Sequence, residues 1–254
     1  MNAIVAYHTN KKLTNIKDFN IQAYEHIVND VDYVNVFLRH NSCFDKVILF
    51  TDQHEDYSGR NLIIKNIDQC SEYPIHRYWQ WYYWKSMEKF RAMMVGYLQW
   101  ERITLERYMI YLYYSDIICE YDKIACLDCD ILLFDTIQNI VDDEYDLLWW
   151  CGGGQTYWKT SNKFLNYCKF VINWFASDDA DMISDCEMIE EYVDNNTIKW
   201  RHITTQPVYV YEKDRIVVQD GIPHIQDGDN NIKLTGLHCH DKYSVKRYAN
   251  HAHL

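Results

Sequence analysis

Proline and glycine are scarce in this chain. Three prolines (Pro74, Pro207 and Pro223) and eight glycines are spread over 254 residues, and no Pro/Gly-rich tract, internal repeat or low-complexity segment divides them. A flexible linker between separate units is therefore not expected. The length suits one domain over residues 1–254. Long hydrophobic runs are missing too. No apolar stretch approaches the ~18 residues of a membrane span, because charges interrupt the longest segments. The opening MNAIVAYHTN lacks the basic region and the apolar length of a secretory signal. Positive charge is in deficit: the formal net charge is −12 and no dense basic run occurs. A nucleic-acid backbone is repelled by such a surface, so nucleic acid is not an expected partner. An anionic nucleotide is still compatible where a metal and local cations screen it.

The nine cysteines are scattered and odd in number, with a single Cys-x-x-Cys at Cys126 and Cys129. A disulfide framework or a structural zinc site needs more regular spacing and a second ligand pair. The cysteines point instead to small core residues in a reducing, cytoplasmic compartment. Phosphate-binding Gly-x-Gly-x-x-Gly and Gly-x4-Gly-Lys-Ser/Thr patterns are absent.

What is present is apolar and aromatic material. Hydrophobic residues make up 48% and aromatics 16% of the chain, enough for a substantial core. Short apolar runs at Ala3–Tyr7, Lys46–Phe50, Asn61–Ile67, Lys123–Leu127 and Leu147–Trp150 read as buried strands. Helical spacing is expected at Asn20–Val31, Lys85–Leu98, Thr104–Tyr114, Asn162–Phe175 and Asp181–Val193, and strand-like segments at Ile216–Val218 and Lys233–Leu237. Strands alternating with helices predict an α/β fold with a mostly parallel, mixed central sheet flanked by helices.

The chemistry concentrates in Lys123-Ile-Ala-Cys-Leu-Asp128-Cys-Asp130-Ile-Leu-Leu-Phe134. A buried strand delivers two carboxylates one residue apart. Ligands of open α/β sheets bind beyond the carboxyl ends of the strands. Hard carboxylate oxygens there suit Mn²⁺ or Mg²⁺, which pairs one or two acids with substrate phosphates. The alternative is a strand-end turn with Asp130 as a helix cap.

The run Tyr121–Ile137 resembles the Asp-x-Asp segment of GT-A glycosyltransferases, and further pieces follow in order. Phe44–Asp52 looks like the early strand ending near the nucleotide base, and Glu106-Arg107-Tyr108 like an Arg-bearing helix before the acidic motif. Gly152–Trp158 is similar to a small-residue segment lining the donor sugar, Ile183-Ser-Asp185 to an acidic segment over the reacting sugar, and Gly236–Lys242 to a late His segment. Asp241 stands where the Leu-His-x-x-Gly-x-x-Lys pattern of glycogenin-like enzymes has Gly.

The resemblance implies a Rossmann-like GT-A fold, with a nucleotide-binding half (about 1–135) and an acceptor half (about 136–254). It implies a metal held by Asp128, Asp130 and His238, and a nucleotide-sugar donor contacted by Tyr7, Thr9, Asp52, Arg107, Asp128, Gly153, Gly154, His240 and Lys242. The acceptor is a glycan, glycoprotein or glycolipid. Asp185 is the candidate general base, or a holder of the donor's hydroxyls, or a helix cap. Tyr78–Trp84 is an aromatic cluster that packs a helix or offers an acceptor platform. A phosphotransfer enzyme built on the acidic strand and a non-catalytic carbohydrate-binding protein are the competing function classes.

Overall fold

The computed structural model describes residues 1–8, 31–52, 57–72, 98–141, 143–149, 155–176, 185–203, 216–227, 230–239 and 249. A seven-stranded sheet runs in the order β3-β2-β1-β4-β7-β6-β8. Its members are β1 (Ala3–His8), β2 (Lys46–Thr51), β3 (Leu62–Asn66), β4 (Ile124–Leu127), β6 (Leu147–Trp149), β7 (Gln155–Trp158) and β8 (Trp200–His202). β1 pairs in parallel with β2 and with β4, β2 with β3, and β6 with β8; β7 runs antiparallel between β4 and β6. The protein is α/β and Rossmann-like, with a mostly parallel sheet, as expected. The antiparallel β7 is a finding: Gln155-Thr-Tyr-Trp158 falls in the stretch that resembles a small-residue segment lining the donor sugar, where no strand is expected from the sequence.

Both faces of the sheet are covered, which is why the central strands are uniformly apolar rather than alternating. Ala3 and Val5 of β1 face one core, and Ile4 and Ala6 face the other. The first core is roofed by α2 (Leu98–Tyr113), α5 (Ser161–Ala176) and α6 (Asp185–Asn195). Its aromatics interlock: Trp158 stacks on Tyr167 with ring centroids 5.2 Å apart, and Tyr108 meets Tyr167 edge-on at 5.2 Å. Such pairs add about 0.5–1.5 kcal/mol each beyond their buried area.

The second core packs under α1 (Val31–Asn41), where Val34, Phe37 and Leu38 recur at helical spacing and are fully buried. The spacing over Asn20–Val31 had predicted a helix ending where α1 begins; residues 20–30 lie outside those described, as do 85–97 of another expected helix. Two short helices, α3 (Ser115–Ile118) and α4 (Ile137–Ile140), flank the β4 region.

Two smaller sheets complete the structure. β5 (Ile131–Leu133) pairs antiparallel with β12 (Gly236–His238), with Ile131 opposite His238. β9 (Ile216–Gln219), β10 (Ile222–Asp227) and β11 (Asn230–Lys233) form a meander. The β9–β10 turn is Asp220-Gly221, both at positive φ (51° and 75°), the two-residue hairpin that suits Asp-Gly. Among the described residues no helix is long and apolar enough to cross a membrane.

Candidate active site

The chain enters the sheet at β1, builds outward through β2 and β3, then crosses to the other side of β1 to form β4. The order therefore reverses between β1 and β4, and it is at such a point, in the crevice beyond the carboxyl ends of the strands, that open α/β sheets bind ligands. β4 is buried throughout, and Asp128 is the first residue past it. The backbone turns at once, with the Ile131 amide donating to the Asp128 carbonyl at 3.1 Å. Asp128 and Asp130 thus stand on a tight turn at the switch point. The Cys129 thiol, buried between them, reaches the Tyr7 carbonyl at 3.7 Å and ties this turn to the end of β1.

Arg107 comes from α2. It is 3% exposed, and its Nη1 lies 2.7 Å from Asp128 Oδ1, whose side chain is 28% exposed. The guanidinium also sits over the Tyr108 ring, 5.2 Å from its centroid. Burial opposes the arginine's charge, but the surrounding Tyr108, Asp128 and Cys126 hold it firmly protonated.

His238, at the end of β12, places Nε2 3.2 Å from Asp130 Oδ2. Burial alone lowers its basicity; the charge of Asp130, the hydrogen bond to it and Asp128 behind it outweigh that and raise its pKa above 6.5. The Cys239 amide donates to the Asp130 carbonyl at 2.8 Å, so β12 is pinned to the acidic turn by its backbone as well.

Tyr7 packs toward the first core, and Asp52 follows β2 on the same rim. Between them, on the opposite face of β1 from Tyr7, stands His8. Sequence reasoning passed over it, although a polar residue closing a buried strand at its carboxyl end is a detectable signal. His8 is 7% exposed; its Nδ1 lies 3.2 Å from the Tyr57 hydroxyl, and its buried Nε2 has no hydrogen-bond partner among the described residues. The rings of Tyr33 and Tyr57 meet it edge-on, with centroids at 6.3 and 6.4 Å. Burial pushes the imidazole pKa down to about 4, with Asp52 partly opposing, so His8 is neutral at physiological pH. Burial, followed by the charges near Cys129, Asp130, Asp128 and Tyr57, raises the Tyr33 phenol and keeps it protonated. Tyr33 of α1 therefore borders both His8 and the acidic turn.

The structure thus gathers Tyr7, Asp52, Arg107, Asp128, Asp130 and His238 around the carboxyl ends of β1, β2 and β4. Asp185 opens α6, and its side chain lies outside the described residues. Thr9, Gly153, Gly154, His240 and Lys242 lie outside them too, as does the cluster Tyr78–Trp84.

The donor set of the acidic turn suits a hard divalent cation: two carboxylates on one turn, with an imidazole against the second. Mg²⁺ and Mn²⁺ need only one or two protein acids when phosphates complete the shell. Among the described residues no group of three or more His, Cys, Asp or Glu side chains is placed to hold a metal ion by itself, so a cation at the acidic turn would depend on substrate phosphates to complete its shell.

No family model and no curated protein sequence matches the chain. Among solved structures it is similar to the glycosyltransferase GlyE of Streptococcus pneumoniae TIGR4, at 12% identity and a TM-score of 0.42, over 80% of this chain and 46% of that one. The chain therefore spans less than half the length of that structure.

Proposed function

We propose that the chain is a glycosyltransferase that moves a sugar from a nucleotide-diphosphate donor, UDP-linked in preference to GDP-linked, to a hydroxyl on a glycan, glycoprotein or glycolipid. The observation that supports this most is the position of the acidic turn. Asp128 and Asp130 leave the central strand β4 directly beside β1, at the point where the sheet order reverses and the crevice lies.

In this reading Asp130 and His238, 3.2 Å apart, hold Mn²⁺ or Mg²⁺ together with Asp128. The cation, when bound, neutralises the diphosphate and stabilises it as a leaving group. Arg107 acts from below. Its ion pair fixes one oxygen of Asp128 and leaves the carboxylate partly exposed. Tyr7, Asp52 and the neutral His8 border the space beside the turn that a nucleoside would occupy. Asp185 at the start of α6, Thr9, Gly153, Gly154, His240 and Lys242 are carried forward as the remaining donor and acceptor contacts. A chain with formal charge −12 accepts an anionic donor only through such local cationic groups.

The test is a calorimetric titration of UDP, GDP and their sugar conjugates with and without Mn²⁺, on the wild type and on Asp130→Asn. Nucleotide binding that requires the metal, and that Asp130→Asn abolishes while the variant stays folded, is the expected result. Absence of nucleotide binding under both conditions overturns the proposal. Trapping of a phosphoryl group on Asp128 would instead favour the phosphotransfer class.

A further inference from the structure

β5 is three residues long, yet it carries the acidic turn at its start and must hold it in place. Along one edge it is paired conventionally. The Asp130 carbonyl accepts from Cys239, and the Phe134 amide donates to the Thr235 carbonyl, each at 2.8 Å, on the β12 side. The other edge faces α1, a helix, which offers no backbone ladder. An unpaired buried strand edge costs several hydrogen bonds.

Asn41, the last residue of α1, supplies them. Its Nδ2 donates to the Ile131 carbonyl at 2.9 Å, and its Oδ1 accepts from the Leu133 amide at 2.8 Å. One carboxamide thus matches the donor and acceptor of a peptide unit in a neighbouring strand. His40 adds a contact from Nε2 to the Leu133 carbonyl at 2.6 Å. Both side chains are fully buried. The polar groups of β5 are divided in this way: residues 130 and 134 turn to β12, and residues 131 and 133 turn to α1.

We propose that Asn41 is a positioning residue for the cation seat. By standing in for a missing strand it fixes the lateral position of β5, and with it the distance from Asp130 to His238, which come from the two paired strands. This inference rests on the proposed metal-binding role of those two residues. Groups behind metal ligands commonly change affinity by about 10–100-fold when removed, because they orient the ligand atoms. Asn41 touches neither the metal nor a ligand side chain. It acts through the backbone of the strand that bears Asp130.

The experiment measures Mn²⁺ binding directly, from the electron paramagnetic resonance signal of free Mn²⁺, at a fixed UDP concentration and against a protein-free control, since phosphates complete the cation's shell. Asn41→Ala is compared with Val34→Ala, which truncates a fully buried residue of the same helix whose side chain makes no hydrogen bond to β5. Melting temperatures are recorded, and binding is read where each protein is folded. Asn41→Ala weakens Mn²⁺ binding by about 10-fold or more. Val34→Ala lowers the melting temperature and leaves the Mn²⁺ Kd within about twofold of wild type.

Asn41→Asp supplies a second readout. Its protonated acid can make both bonds to β5, whereas its ionised form loses the donor to Ile131. Its Kd, as a ratio to wild type, therefore improves between about pH 8 and about pH 6, since burial raises a carboxyl pKa. A folded Asn41→Ala with wild-type Mn²⁺ affinity overturns the inference, and so does a flat ratio for Asn41→Asp. Failure of the wild type itself to bind Mn²⁺, or retention of binding in Asp130→Ala, overturns the metal reading beneath it and is seen separately.

Discussion

Arg107 and Asp128 are twenty-one positions apart in the chain and meet at 2.7 Å. The arginine, on α2, is buried, whereas the carboxylate is partly open. The pair therefore joins a stability requirement to a candidate functional group, and the two roles can be separated by the choice of substitution.

Removing the carboxylate deprives a buried guanidinium of its 2.7 Å ion-pair partner. Asp128→Ala is expected to cost about 3–5 kcal/mol of stability, the usual penalty for breaking a buried ion pair from one side. Asp128→Asn keeps an acceptor for Arg107 and is expected to cost distinctly less. Asp130→Ala strands no buried cation of this kind and is expected to cost less than Asp128→Ala. Urea unfolding of the three variants measures this. Equal losses for Asp128→Ala and Asp130→Ala would show that the ion pair carries no special weight.

His8 gives the stability a pH dependence of known sign. Its pKa falls from 6.5 to about 4 on folding because burial disfavours the charged ring. Between those values the unfolded chain binds the extra proton and the native protein does not. Stability therefore rises with pH from about 4 to 6.5 and is lost as the solution is acidified through that window. The full span amounts to about 3 kcal/mol for one group. Denaturant titrations at several pH values should show this slope, and His8→Gln should remove most of it. Imidazole NMR resonances of His8 that titrate near 6.5 in the native state would contradict the argument.

The seven cysteines whose side chains are described divide by burial. Cys43 and Cys119 are exposed, whereas Cys70, Cys126, Cys129, Cys168 and Cys239 are buried free thiols. Burial, with Asp128 and Asp130 adding to it, raises the Cys129 thiol well above its usual range; Arg107 opposes only in part. Only the thiolate reacts with alkylating agents. Mass spectrometry after brief iodoacetamide treatment at mild alkaline pH should find Cys43 and Cys119 modified before the five buried thiols, and Cys129 modified only after unfolding. Early modification of Cys129 would mean that the acidic turn opens freely in the native state.

The strands that position the site were legible because they are buried on both faces. Val47–Phe50 and Ile124–Leu127 are continuous apolar runs, and such runs mean a covered parallel strand. Asp128 and Asp130 were legible for the same reason: acids at the abrupt end of an apolar run stand at a strand terminus. Arg107 was found on its helix, but its burial was not, since a lone arginine among tyrosines reads equally well as a surface ion pair. β5 was hidden inside the acidic motif's flank, being only three residues long. His8 closes the apolar run of β1, and that signal alone does not tell a buried imidazole from the first polar residue of a loop.

The sequence by itself determined the α/β class, the strand that carries the two acids, and the end of that strand at which they emerge, because local hydrophobic pattern dictates which segments are buried and where burial stops. Tertiary structure alone decided that Asp130 meets His238 from 108 positions away, that Arg107 lies beneath Asp128, and that the carboxamide of Asn41 completes the edge of a strand 90 positions further on. Those pairings depend on strand order, crossover and register. Such features are fixed by the packing of the whole sheet and leave no periodic trace in the residues that meet.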